Sequence, residues 1–274
     1  MENNTSVWGI LSKTVVPIRL HPNFESEMAD EGLYGMVVKI VENVEENWYL
    51  VQTHYNYKGY IHESDMIIDD EKSEEWKNIA KGMIIHSVVD AMSKPAYQGY
   101  IVQVLTKGAR VMATGKVEKE WSEIQLADGK KGWVKSIYLG SLKETHNKKE
   151  EGGIRKALVE TAFEYMDTQY RWGGKSPLGI DCSGLCSISY LMNGIIIYRD
   201  AVLKEEYMRE ISLEEIKPGD LLFFPGHVAM YIGDDKYIHS SSSNSGVKIN
   251  SLNPNHSDYK EDLAKTITGI GTIF

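Results

Sequence analysis

The chain is poor in cysteine, with two in 274 residues, Cys182 and Cys186. Four positions apart in one apolar run, they suit no disulfide, and two sulfurs are too few for a zinc site, so both read as free thiols in a reducing compartment. No run approaches the ~20 apolar residues of a membrane-spanning helix. The opening Met1-Glu2-Asn3-Asn4-Thr5 lacks the basic-then-apolar pattern of a secretory signal, so the expectation is a cytoplasmic protein with no membrane partner. Positive charge is also short: 30 Lys and Arg against 39 Asp and Glu give a net charge of −9. Such a surface repels phosphate backbones and anionic polymers, which argues against nucleic acid as a partner. What is present is ordinary for a folded protein, 42% hydrophobic and 25% charged residues. At a soft scale of ~150 residues per domain, the length suggests two or three units.

An internal repeat organises the first half. Shifted by 73 positions, Val15-Val16 falls on Val88-Val89, Pro22 on Pro95, Gly35 on Gly108, Trp48 on Trp121, and Gly59-Tyr60-Ile61 on Gly132-Trp133-Val134. Coincidence at several rare residues implies two copies of one unit. Alternating runs such as Met36–Val41 and Trp48–Val51 read as short strands, and a small antiparallel β-barrel fits each copy. The Gly-strand-Trp-Gly pattern resembles bacterial SH3-like domains over about 14–67 and 86–140. Trp48, Trp121, Tyr60 and Trp133 read first as barrel core. The charged run Asp69–Glu75 and the polar run Lys143–Gly153 read as solvated connectors, dividing the chain into 1–74, 75–142 and 143–274.

After Gly153 the period becomes helical: Ile154, Leu158, Ala162, Tyr165 and Met166 predict a helix over 154–168. A Gly-rich loop from Tyr170 then leads into Asp181-Cys182-Ser183-Gly184-Leu185-Cys186, with an apolar run to Leu191 that predicts a second helix with Cys182 in its first turn. There the helix N-terminus is expected to lower the thiol pKa below ~8.5 and to offer backbone N–H groups to an oxyanion. Cys186, one turn on, reads as a small buried hydrophobe. Downstream, His227 opens a predicted strand and His239 lies on the next, joined by the turn Gly233-Asp234-Asp235, so a hairpin brings a candidate base beside a second imidazole able to fix its tautomer.

Together, Tyr170-Arg171-Trp172-Gly173-Gly174, Asp181-Cys182-Ser183-Gly184-Leu185, Pro218-Gly219-Asp220 and His227–Gly233 with His239 resemble the NlpC-type cysteine peptidases, in that family's order. The resemblance implies two SH3-like β-barrels followed by a papain-like α+β domain, a Cys-bearing helix packed on an antiparallel sheet. It implies Cys182 as nucleophile, His227 as general base then acid, and His239 as its orienter. Tyr170 is implied as an oxyanion donor beside the Cys182 N–H; a packing role at a helix end is the alternative.

The two-barrel layout is similar to the subgroup of γ-D-glutamyl-L-diamino-acid endopeptidases, which implies free murein stem peptides with an N-terminal L-Ala as substrate and the first barrel as a cap over the cleft. Asp181, Ser183 and Tyr57 then correspond to groups that select the free amine, joined by Glu25 or Glu27, while Asp181 also reads as a helix N-cap. A substrate with a blocked amine is expected to leave Asp181 unpaired. The stretch Ala201-Val202-Leu203-Lys204 departs from the subgroup, and Arg199 with Asp200 reads as a loop-pinning pair. The chemistry implies no cofactor or metal, and His21, His54, His62, His86, His146 and His256 show no ligand spacing. Lysine or diaminopimelate as the third residue, and an exported wall hydrolase or a retired peptide sensor as the function, remain alternatives.

Overall fold

A computed structural model of the protein describes residues 7–143 and 150–274; the opening pentapeptide and most of the polar run 143–153 lie outside the described residues. The chain packs as two compact units, Met1–Leu142 and Lys143–Phe274. No helix among the described residues is long and apolar enough to cross a membrane.

The first unit contains the repeat. Strands β1 (Val7–Leu11), β2 (Val15–Arg19), β3 (Met28–Leu33), β4 (Val37–Asn43), β5 (Trp48–Gln52), β6 (Lys58–His62) and β7 (Met66–Ile68) form a sheet in the order β3-β2-β6-β5-β4-β1-β7. The second copy comprises β8 (Gly82–Ile84), β9 (Val88–Met92), β10 (Ile101–Thr106), β11 (Arg110–Glu118), β12 (Trp121–Gln125), β13 (Lys131–Lys135) and β14 (Leu139–Ser141). Its order is β10-β9-β13-β12-β11-β8-β14, the same topology. Even the register repeats: Trp48 faces His62 and Val51 faces Gly59 in one copy, while Trp121 faces Lys135 and Ile124 faces Gly132 in the other. A shared register follows from a shared pattern, because a one-residue slip sends every core side chain to the solvent face. Trp48, Trp121 and Trp133 are buried and Tyr60 is half-buried.

The charged run expected as a connector is instead the start of a helix, α1 (Asp70–Ile79). Asp69 caps it, accepting the Lys72 N–H at 3.0 Å, and Asp70 and Glu71 lie at the positive end of its dipole. Its buried apolar anchor, Trp76, with Ile79 packed beside it, enters a core that also takes Ile10, Tyr34 and Val37 from the first copy and Ile84, Leu105 and Ile124 from the second. Trp76 Nε1–H donates to Gly35 O at 2.9 Å, the Tyr34 hydroxyl accepts the Ala127 N–H at 2.8 Å, and the Arg110 N–H donates to Tyr34 O at 2.8 Å. Gly35 sits at φ +75°, and a Cβ there lands 2.2 Å from Arg110 O, so the close approach of the copies requires glycine. One contiguous core therefore serves both repeats.

In the second unit, α2 (Glu151–Phe163) begins and ends earlier than the predicted 154–168, because turns at Tyr165 and Met166 and a positive φ at Asp167 redirect the chain. A short hairpin, β15 (Lys175–Ser176) and β16 (Gly179–Ile180), precedes α3 (Cys182–Leu191). An antiparallel sheet follows: β17 (Arg209–Glu210), β18 (Leu221–Phe224), β19 (His227–Gly233), β20 (Lys236–Ser241) and β21 (Gly246–Ser251), with β22 (Gly269–Thr272) after the short α4 (Glu261–Ala264). The order is β17-β22-β18-β19-β20-β21. Helix α3 packs against β19 and β20, and α2 against α3. The Pro218-Gly219-Asp220 motif is a scaffold corner: buried Arg155 reaches Asp220 at 2.8 Å and Pro218 O at 3.0 Å, and the Tyr190 hydroxyl donates to Gly219 O.

Trp76→Ala is expected to destabilise the first unit by about 3–5 kcal/mol, since it removes a buried indole and orphans the Gly35 carbonyl. A urea midpoint within error of the parent contradicts a shared core.

Candidate active site

The first turn of α3 is organised by Asp181. Its side chain caps the helix, with Oδ1 accepting the Gly184 N–H at 2.5 Å, and Oδ2 takes the Gly173 N–H at 2.8 Å. Arg199 grips the same carboxylate in a two-point fork, Nη1 to Oδ1 at 3.3 Å and Nη2 to Oδ2 at 3.2 Å, and also donates to Ser183 Oγ at 2.6 Å and Gly173 O at 2.9 Å. The Ser183 hydroxyl in turn donates to Asp181 Oδ1 at 3.2 Å. Helix and loop approach so closely that a Cβ on Gly184 meets Gly174 O at 2.0 Å. Arg199, only 2% exposed, is the residue the sequence reading undervalued: it pairs with the buried carboxylate beside Cys182. The premise that Asp181 goes unpaired without a substrate amine is thereby corrected, because five donors already serve its two oxygens.

Cys182 is the first residue of α3 and is 8% exposed. The N–H groups of Val228 and Ser183 donate to its sulfur, which sets the thiol beside the residue that follows His227. The expected lowering of its pKa does not occur. Burial, then the Asp181 charge, push the thiol up to about 11, against the two N–H groups and Arg199. The helix terminus acts in the expected direction, but desolvation of the thiolate is larger. Cys186 is fully buried and its thiol is raised well above the ordinary value, again by burial.

The tight turn at Pro225-Gly226 places Phe224 opposite His227, and the β19–β20 hairpin brings the two histidines together as expected. His227 Nε2 lies 2.7 Å from His239 Nδ1, and His239 Nε2 lies 2.9 Å from Asn250 Oδ1. Burial, followed by the neighbouring His239, pushes His227 down to about 4, with Asp181 opposing. His239 is lowered too, by burial first. The resting site therefore holds a neutral thiol and neutral imidazoles.

Tyr170 is fixed by its own N–H, which donates to Ser245 O at 3.0 Å, and by a bridge to Ile180. Burial, then Cys182 and Asp181, push its hydroxyl up to about 12, so it stays protonated through the neutral range. A narrow cleft next to the site is lined by Ser183, Cys186, Tyr198, Asp200, Val202 and Lys204, which gives the departing stretch 201–204 a place on its wall. The second unit thus assembles Cys182, Asp181, Ser183, Tyr170, His227 and His239. Tyr57, Glu25 and Glu27 belong to the first unit: Tyr57 is half-buried in the β5–β6 turn, its N–H on Thr53 Oγ1 at 3.0 Å, while both glutamates are exposed before β3. The buried acids of that region are Asp30, which accepts the Tyr55 hydroxyl at 2.5 Å, and Glu31.

A thiol in the first turn of a helix, packed against an antiparallel sheet that carries a histidine pair, defines a papain-like cysteine hydrolase site. The NlpC/P60 family profile matches residues 167–265, a bacterial dipeptidyl-peptidase SH3 domain matches 18–66, and a bacterial SH3 domain matches 93–140. The chain is 43% identical over 257 residues to dipeptidyl-peptidase 6 of Lysinibacillus sphaericus, covering 92% of this chain and 94% of that protein. It is 32% identical over 111 residues to the γ-D-glutamyl-L-lysine dipeptidyl-peptidase of Bacillus subtilis (strain 168), 38% of each. The crystal structure of an NlpC/P60 family protein from Bacillus cereus ATCC 10987 shares the fold, with a TM-score of 0.81 over 97% of this chain and 99% of that one at 18% identity. The chain belongs to the NlpC/P60 family and is a cysteine peptidase with two N-terminal bacterial SH3 domains.

His227, the expected base, accepts a proton only while neutral, so base function is expected above its pKa and is lost as the pH falls through it. The acid limb of kcat/KM is expected at about pH 4. A midpoint at the ordinary imidazole value near 6.5 contradicts the burial argument.

Proposed function

We propose that the protein hydrolyses the γ-D-glutamyl-L-diamino acid bond of free murein stem peptides, releasing L-Ala-D-Glu, and serves cytoplasmic recycling of wall peptides. The observation that carries this reading is the 43% identity to dipeptidyl-peptidase 6 across both barrels and the peptidase domain. The local match to γ-D-glutamyl-L-lysine dipeptidyl-peptidases supports the same bond.

In this reading Cys182 Sγ attacks the γ-carbonyl carbon of D-Glu while its proton passes to His227. The Cys182 N–H and the Tyr170 hydroxyl, a donor across the neutral range, face the oxyanion. Collapse breaks the C–N bond as His227 returns the proton to the leaving amine of the diamino acid. Water, deprotonated by His227, then attacks the thioester carbonyl and restores the thiol.

Selection of a free amine takes a different form from a lone carboxylate awaiting its partner. Arg199 already balances Asp181, so an incoming ammonium must displace a donor from that carboxylate, and the Ser183 hydroxyl is one of its longer contacts, at 3.2 Å. A second acid is then needed for charge balance.

Mass spectrometry of L-Ala-γ-D-Glu-L-Lys-D-Ala, its diaminopimelate analogue and the N-acetylated form of each tests the proposal. Release of L-Ala-D-Glu from the free-amine peptides alone is expected, with none from Cys182→Ala. Equal cleavage of acetylated peptides overturns the amine requirement and indicates a wall hydrolase, while binding without cleavage overturns the catalytic reading.

A further inference from the structure

Two neutral histidines in contact leave one question open: which of the four ring nitrogens carry protons. The side chains behind His239 answer it. Asn250, 7% exposed on β21, donates through Nδ2 to Asp258 O at 3.0 Å. A backbone carbonyl only accepts, so this bond fixes the amide orientation and turns Oδ1 toward His239 Nε2 at 2.9 Å. Asn244 Nδ2 donates to the same Oδ1 at 3.0 Å, which again requires an acceptor there. His239 Nε2 thus faces the Asn250 acceptor at 2.9 Å and the Asn244 Nδ2 donor at 3.2 Å, and the shorter contact, where two facing lone pairs repel, favours a proton on Nε2. In a neutral ring, Nδ1 is then bare and accepts from His227 Nε2–H at 2.7 Å. His227 Nδ1 is left as the nitrogen with a free lone pair, the one able to take the Cys182 proton.

We infer that Asn250, oriented by the Asp258 carbonyl and Asn244, is a positioning residue that sets the direction of the hydrogen-bond chain and holds His227 in its base-competent tautomer. Without it, the neutral His239 is free to carry its proton on Nδ1 and donate to His227 Nε2, which places the His227 proton on the nitrogen meant for the thiol. The inference rests on the Cys182–His227–His239 site and not on which peptide is cleaved.

The groups that face this chain are few. Asp181 acts on His227, while Lys260 and Asp262 act on His239 with opposite signs, and the rings of Phe224 and Tyr237 pack against the two imidazoles. The Asn250 contact favours the charged form of His239, against burial and Lys260. A full negative charge at position 250 therefore raises both imidazoles, directly at His239 and through it at His227.

Nitrogen-15 spectra of the full-length protein at neutral pH test the tautomers without any substrate. Both His227 and His239 are expected with a protonated Nε2 and a bare Nδ1, and an Nδ1–H at either ring overturns the proposal. Kinetics on whichever stem peptide is cleaved give the second readout. Asn250→Leu is expected to lower kcat by roughly 10- to 100-fold at nearly constant KM, as for other histidine orienters. Asn250→Asp keeps an acceptor, restores most of kcat relative to the Leu variant, and moves the acid limb of kcat/KM to higher pH. Unchanged kcat in a folded Asn250→Leu protein, or an acid limb unmoved in Asn250→Asp, overturns the assignment. If no stem peptide is cleaved, the same Asp-for-Asn shift is read from the pH titration of the His227 resonances, so a failure of the substrate proposal stays distinguishable.

Discussion

Desolvation governs this active site. Cys182, Asp181, His239 and Asn250 are all nearly inaccessible to water, and His227 is only partly open. In such surroundings a charge without a partner is expensive, and each feature of the site meets that constraint in its own way. Arg199 forks onto Asp181, and two backbone N–H groups and the Ser183 hydroxyl complete its shell. Among the described residues no counter-charge grips Cys182 or His227 as Arg199 grips Asp181, and burial favours a protonated thiol and a neutral imidazole. Directional hydrogen bonds then carry the information that charges carry in more open sites, which is why a neutral amide at Asn250 matters.

The same economy is visible in the scaffold. The Asp-Cys-Ser-Gly run performs several structural tasks at once: Asp181 caps, Cys182 starts the helix, Ser183 braces Arg199, and Gly184 admits the Gly174 carbonyl. Pro218-Gly219-Asp220 anchors the hairpin that presents His227, through Arg155 on α2 and Tyr190 on α3. A family motif here is as much a packing device as a reactive one. Substitutions at these positions are expected to act through the placement of the sulfur and imidazole as well as through chemistry.

Much of this was legible in the sequence. The repeat at an offset of 73 carried over to strand order and register, since rare Trp, Gly and Pro mark turns and core positions that topology cannot move. The helix starting at Cys182 and the paired strands bearing His227 and His239 follow from periodicity and turn chemistry. What escaped depends on contacts distant in sequence. Arg199 sits 18 positions from Asp181 in a segment without periodicity, and nothing local marks it as buried. The run at 69–75 reads as a connector because the apolar residues that anchor it, Trp76 and Ile79, lie just beyond it. The sign of the Cys182 shift was missed because the helix dipole can be read from sequence, whereas burial is a property of the assembled fold.

The most direct test of a neutral resting site is the ultraviolet absorbance of the Cys182 thiolate, titrated in the intact protein against Cys182→Ala as the blank. The account predicts no thiolate signal through the neutral range, with ionisation only on the alkaline side, toward about 11. A thiolate that appears in the acid range while His227 stays protonated means that a buried thiolate–imidazolium pair is the resting state and contradicts the account.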